Sequence, residues 1–492
     1  MCAPTNCTSG PDRSARRTVP CVAPHAAGER CNVGVTEQIA RFTVETKDVP
    51  EQVRSLATNH LVDTVAVMLA GATEESGVLV RAHLRDLGGH PQAAVIGADL
   101  RAPLQQAAWA NGTAGHAMDY DDTQLATDPQ SVYGLLTHPS VPVLAGALAA
   151  AEGTGASGAA LLDAYVVGVE VACRIADAIN PRHYRDGFHS TATMGGFGAA
   201  AAASRLYRCN LDQTLRAFGL AASMAAGLRE SFGTMTKPFH AGRAAENGLF
   251  AVLLARRGWT TAKNILEAKR GFYGAAAGGY DASKIEGRLG NPYFFVEPGI
   301  SIKPYPSGSL SHPGQDVLLD LIKQHDVQPD HVERIDVGVN SYVPTALIHM
   351  RPTTALEGKF SLPFMMAIGV LERKAGIAQF VDEKVRDPRT RALMEKVHVY
   401  VDPEIEKLGY NQMRLRIGIT LRDGRRLEGY AEAAKGHPRK PMSRDDLREK
   451  FMDCAALVMP SERAEAALAR LWAIHEARRV ADLMPMLIGS AE

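Results

Sequence analysis

Between residues 141 and 257, five segments rich in Ala, Gly and Ser follow one another: 141–153, 158–180, 190–206, 211–227 and 243–257. Their connections are short, and small side chains let helix axes approach closely. The run therefore specifies a large all-α bundle, with no internal repeat. Its longest apolar stretches, 141–151 and 191–203, fall short of the ~20 residues a membrane span needs, so they read as buried helices without membrane contact. The glycines of MGGFG (194–198) lie inside such a helix and serve packing, since a dinucleotide fingerprint would follow a strand.

On either side of this run the pattern changes by stages. Residues 1–33 lack periodicity and read as a disordered extension. Helical spacing begins near Thr36. It continues through 53–71 (Leu61, Val65, Met68, Leu69), 76–88 and 103–117, with AAVIG at 93–97 as a short strand or hairpin arm. After about residue 298 a period of two appears. Ile335, Val337 and Val339 alternate with Arg334, Asp336 and Asn340, and Met413, Leu415, Ile417, Ile419 and Leu421 repeat the pattern. Asp423-Gly424 supplies a hairpin turn into 425–432. Helices at 312–325 and 359–372 lie among these strands, and helix resumes from 443. At 492 residues the chain exceeds what one core usually organises. The expected fold class is mainly α: a large all-helical domain from 34–298 and 438–492, with a smaller α+β domain, 299–437, inserted between them.

Formal net charge is zero and only three Trp are present. Neither a basic field nor a stacking surface for nucleic acid follows. Cys2, Cys7, Cys21 and Cys31 crowd the N-terminus, while Cys173, Cys209 and Cys454 are scattered. None has the paired spacing of a zinc module, and a reducing, cytoplasmic location is expected. Arg13, Arg16 and Arg17 are not followed by the apolar core of a signal peptide.

Four stretches offer chemistry. The densest, GHAMDYDDTQLATDPQSVYGLLTHPS at 115–140, sets Asp119, Asp121, Asp122, Thr123, His116 and His138 between two alanine-rich helices. Its D-x-D-D-T matches protonation-initiated terpene cyclases, but those need an aromatic cavity for carbocations, and aromatics are scarce here. A phosphatase D-x-D would follow a hydrophobic strand, and a prenyl-transfer D-D-x-x-D fails at Leu125. Such a loop cluster also serves to cap helices. RDGFHST (185–191) places His189 just ahead of a helix. FGTMTKPFHAGRAAENG (232–248) gathers Lys237, His240 and Arg243 at a helix start, where free N–H groups favour a carboxylate or phosphate. SIKPYPSGSLSHPG (301–314) offers Lys303, Tyr305, Ser307 and His312 on a rigid segment that suits a substrate clamp or a hinge.

Taken in order from about residue 36 to 485, GHAMDYDDT…THPS, GFHST, FGTMTKPFHAGRAAENG, KPYPSG and KFSLPF resemble the MmgE/PrpD family. That family includes 2-methylcitrate dehydratase, cis-aconitate decarboxylase and iminodisuccinate epimerase. The resemblance implies a helical domain built from both chain ends, an α+β insertion acting as a lid, a homodimer and no metal or other cofactor. It places active-site positions at Asp119, Thr123, His138, His189, Lys237 and Lys303. Phe364 departs from it: family decarboxylases carry Tyr there, so a phenolic donor is missing unless Tyr305 or another group replaces it. FGTMTKP looks more like the epimerase and MmgE branch.

The family's reactions make or quench a carbanion next to a carboxylate. Lys237 and Lys303, helped by Arg243, His240 and Tyr305, would bind substrate carboxylates and absorb the growing charge. His138 and His189 are the acid/base pair, Asp119 orients a histidine, and Thr123 fixes the loop or a leaving hydroxyl. Asp121 and Asp122 fall to structural or capping roles. The expected function is a cofactor-free lyase that dehydrates a small di- or tricarboxylate of the 2-methylcitrate type. Epimerisation, cis-aconitate-type decarboxylation and non-catalytic carboxylate binding are the alternatives.

Overall fold

The computed structural model describes residues 33–126, 137–412 and 414–489. The N-terminal extension with its four cysteines, the loop centre 127–136 and Met413 lie outside the described residues. Helices Val35–Glu45, Glu51–Gly71, Glu75–Leu87, Leu104–Ala117, Ser140–Thr154, Gly158–Asp177, Ser190–Leu206, Leu211–Met224 and Thr236–Ala255 pack as the small-residue pattern predicts. One glycine contact positions the site directly. A Cβ on Gly112 would lie 2.8 Å from the Cα of Gly242, so the helix ending at Ala117 and the helix starting at Thr236 cross with backbones almost touching. That crossing brings His116, near the end of one, beside Lys237, in the first turn of the other.

The last helix of the series begins at Thr236, seven residues before the expected start. Pro238 falls in its first turn, where a missing N–H costs no intrahelical bond. Lys237 and His240 therefore stand on a helix and not on the loop before it. AAVIG contributes a two-residue strand, Ala93–Ala94, paired with Arg101–Ala102.

Beyond residue 298 a four-stranded sheet forms in the order Val397–Val401, Val332–Val339, Leu415–Leu421, Arg426–Ala431. The first pair is parallel and the others antiparallel, with Ile335 opposite both Val397 and Ile419. Ile335, Val337 and Val339 are buried, as their alternation requires. Val397–Val401 was not anticipated: Val397, Val399 and Val401 alternate with His398 and Tyr400 over only five residues, and as an edge strand it has no fully buried residue. Helices His312–His325 and Leu362–Glu372 lie against the sheet. The second starts three residues later than expected, at Leu362, after Ser361, whose hydroxyl accepts the Phe364 N–H as an N-cap.

Buried apolar side chains form two clusters. One runs from Val35 to Ile300 and resumes from Phe451 to Leu487; the other spans Leu310 to Leu421. Helices Arg444–Ala455 and Ser461–Trp472 thus return to the helical core, against Glu51–Gly71. Among the described residues no helix is long and apolar enough to cross a membrane.

Candidate active site

A cleft opens where the two clusters meet, lined by Asp119, Thr123, His138, His189, Lys237 and Lys303. Tyr184, Phe232, Phe360, Leu310 and Leu347 also line it. All six family positions converge, from segments separated by up to 184 residues of chain.

Backbone pairing aligns them. Thr123 and Ser301 exchange N–H···O bonds of 2.8 and 2.9 Å, which clips the aspartate loop to the strand-like 301–303 segment. His189 donates its N–H to Gly227 O, and His138 donates its N–H to the Thr191 hydroxyl in the first turn of the helix His189 precedes. Asp119 adopts a left-handed backbone, φ 52°, which Asp tolerates better than most residues. Strain of this kind concentrates at functional positions.

Asp119 is the electrostatic hub. Its carboxylate accepts from Lys237 and, at 3.0 Å, from Lys303. Although burial opposes ionisation, these ammonium groups hold it far below the ordinary carboxylate range. Lys303 spends its remaining donors on the carbonyls of Asp119 (2.8 Å) and Ser307 (3.1 Å), so it braces the loop. Lys237 donates only to Asp119 and to His116 Nε2 (3.1 Å), which leaves one of its three donors for a ligand. Its ammonium also lies 5.3 Å from the Phe232 ring centre.

Asp121 is fully buried. Its carboxylate accepts from His116 Nδ1 at 2.9 Å and lies 3.3 Å from His138 Nδ1, which is also 3.3 Å from the Thr123 hydroxyl. The first bond fixes the His116 tautomer and turns its Nε2 to Lys237, while His138 Nε2 lies 3.9 Å from Asp119. Burial lowers His116 to a pKa of about 3, so it is a neutral spacer. Asp122 does behave as a cap: it accepts the Ser140 N–H at the start of its helix, and it holds His60 at 2.7 Å.

His189 lies behind the pair, its ring stacked 5.6 Å from that of His116. Its Nδ1 is 3.2 Å from His240 Nδ1, while its buried Nε2 has no hydrogen-bond partner. Burial, then Lys237, keeps His189 well below the ordinary histidine pKa, and the same causes lower His240 to about 4.

Three expected binding residues do not line the cleft. His240 backs His189. Arg243 is partly exposed and pairs with Glu246, on another side of the helix. Tyr305 turns its hydroxyl to Asp316 at 2.7 Å, against the sheet-side core. Phe364 is fully buried, edge-on to Phe380. The phenol that faces the cleft is Tyr184, under the guanidinium of Arg229 at 3.9 Å. Nothing in its local sequence, PRHYRDG, distinguished it.

His116, Asp119, Asp121 and His138 bring four ligand-type atoms within 4.8 Å of one another. Lys237 and Lys303 already neutralise Asp119 and repel a cation, so the donor set fits bound carboxylates better than a metal ion.

Residues 37–284 match the MmgE/PrpD N-terminal domain and residues 305–474 the MmgE/PrpD C-terminal domain. The chain is 29% identical over 384 residues to the cis-aconitate decarboxylase of Mus musculus, covering 75% of each chain. It is 28% identical over 423 residues to that of Homo sapiens, covering 83% of this chain and 84% of the relative. Identity to the Aspergillus terreus enzyme of the same name is 25% over 488 residues, covering 94% and 97%. The two domain matches together span most of the sequence, and the chain belongs to the MmgE/PrpD family.

Proposed function

We propose that this protein is a lyase that decarboxylates a small unsaturated tricarboxylate of the cis-aconitate class, with the sheet-bearing part acting as an inserted lid over the helical body. The relatives' names favour this branch over the 2-methylcitrate dehydration expected from sequence. The observation that carries it is an ammonium with a donor to spare set among apolar side chains. The Lys237 ammonium lies 5.3 and 5.7 Å from the Phe232 and Phe360 ring centres, and Leu310 and Leu347 line the same cleft. A substrate held by one carboxylate at Lys237 presents another carboxylate to these apolar groups. There it is poorly solvated, and its departure as neutral CO2 removes the desolvated charge. Electron density moving onto the retained part is met by Lys237, and a histidine protonates carbon. Tyr184 supplies the phenol absent at 364.

Dehydration is the second reading, favoured by Phe364 in place of the decarboxylases' Tyr. One experiment separates the two: the purified protein is incubated in deuterated water with cis-aconitate and, separately, with citrate-type hydroxy acids, and followed by NMR. CO2 release with one deuterium fixed on carbon is expected from cis-aconitate. Loss of water from a hydroxy acid with no CO2 would replace this reading with the second.

A further inference from the structure

The proposed reaction exchanges a C–CO2⁻ bond for a C–H bond, so each turnover consumes one proton. This inference rests on that reading. His189 lines the cleft but is ill-suited to deliver the proton alone. It is 1% exposed, and a neutral imidazole that gives up its Nε2 proton without replacement becomes an imidazolate. The structure puts a second imidazole behind it. His240 Nδ1 is 3.2 Å from His189 Nδ1, and the two rings are tilted by 53° with centres 5.4 Å apart. His240 is absent from the cleft wall yet keeps 8% of its surface exposed. His189 Nε2 lies at the other end, buried and unpartnered, on a residue that lines the cleft.

We propose that His240 and His189 form a two-imidazole proton relay connecting solvent to the reacting carbon. Both rings are neutral at rest, so the single hydrogen between the two Nδ1 atoms belongs to one of them. In the ready state it sits on His240, and His189 carries its own hydrogen on Nε2. As the C–CO2⁻ bond breaks, its electron pair passes into the substrate and forms the new C–H bond with the Nε2 proton. The His240 Nδ1 proton moves to His189 Nδ1, and His240 Nε2 takes one from water. Both imidazoles remain neutral throughout. After product leaves, His189 Nε2 regains a proton from water in the emptied cleft, and the chain runs back, releasing one at His240 Nε2.

His240→Asn tests this. The Asn amide can still donate to His189 Nδ1 but has no second nitrogen through which a proton can pass. With cis-aconitate, kcat should fall roughly 10²-fold with KM nearly unchanged, and free imidazole should restore part of the loss. A variant within twofold of wild type overturns the relay. So does a loss accompanied by a raised KM and no imidazole rescue, which marks a purely structural residue. If His240→Asn does not fold, His240→Gln takes its place. A readout independent of turnover is ¹⁵N-histidine NMR of the free protein, where His189 should be the Nε2–H tautomer. The Nδ1–H tautomer would overturn the relay even in an active enzyme. Wild-type protein that is inert toward cis-aconitate, yet has His189 as the Nε2–H tautomer, would instead remove the decarboxylase reading.

Discussion

Lys450, far along the chain from every motif, should control both stability and the shape of the cleft. Its buried ammonium donates to Tyr120 O at 2.8 Å and Lys303 O at 2.9 Å, and it pairs with Asp63 Oδ1 at 2.6 Å. It thereby ties helix Arg444–Ala455 to the backbone beside Asp119 and at Lys303. Burial, only partly offset by Lys450, raises Asp63 from 3.8 to a pKa of about 6. A carboxyl whose folded pKa lies above its unfolded value loses stability as pH rises between the two. In wild type that loss levels off above pH 6, at about 3 kcal/mol. In Lys450→Met the carboxylate has no cation and stays protonated in the fold, so the loss continues with pH and reaches about 6 kcal/mol at pH 8. The variant therefore carries an extra cost of about 3 kcal/mol at pH 8 and almost none at pH 5. The two lost carbonyl bonds add a cost at both pH values. For a folded unit of about 460 residues, 1 kcal/mol is worth about 1 °C in Tm. Differential scanning calorimetry should find Lys450→Met about 3 °C further below wild type at pH 8 than at pH 5. In an Asp63→Asn background that difference should vanish. A deficit that does not change with pH, or one that persists without Asp63, would refute the reasoning.

Asp121→Asn should lower kcat about 10–100-fold, because the carboxylate fixes the His116 tautomer and its charge lies 3.3 Å from His138; a wild-type pH–rate profile would count against that role. Tyr184→Phe should slow decarboxylation more than Phe364→Tyr speeds it. Phe364→Tyr should itself cost about 1–3 kcal/mol by thermal melt, since its ring is wholly enclosed by apolar neighbours. Asp119→Asn removes a charge that balances two buried ammonium groups, so an inert dicarboxylate should bind at least about tenfold tighter by calorimetry while turnover collapses; weaker binding would show that Asp119 does not offset Lys237 and Lys303. Because Asp119 is held below its ordinary value, its contribution to stability is complete above about pH 4 and drains away on further acidification, a loss that Asp119→Asn should no longer show.

The helical body was legible because its signal is local. Small residues at close crossings, such as Gly112 and Gly242, announce themselves in composition, and the alternation of Ile335, Val337 and Val339 announces a sheet. The edge strand Val397–Val401 was less legible, because its valines alternate with His398 and Tyr400 over only five residues and nothing local shows that it pairs with Val332–Val339. The polar wall was legible through its motifs, but motifs assign residues to a neighbourhood without assigning directions. Arg243 and His240 stand three positions apart on one helix, yet one reaches solvent and the other the back of His189. Asp121 and Asp122 are adjacent in sequence, yet one orients His116 and the other caps a helix. These outcomes depend on what each side chain meets across the fold, and the sequence around it carries no record of that partner. The same holds for Tyr184 and Lys450, the least legible residues of all. Each sits in an ordinary helical context, and each matters only because a loop from elsewhere in the chain is brought against it. Sequence thus exposes the groups that carry the chemistry. The groups that set their tautomers and hold their backbone emerge only once the two cores are packed.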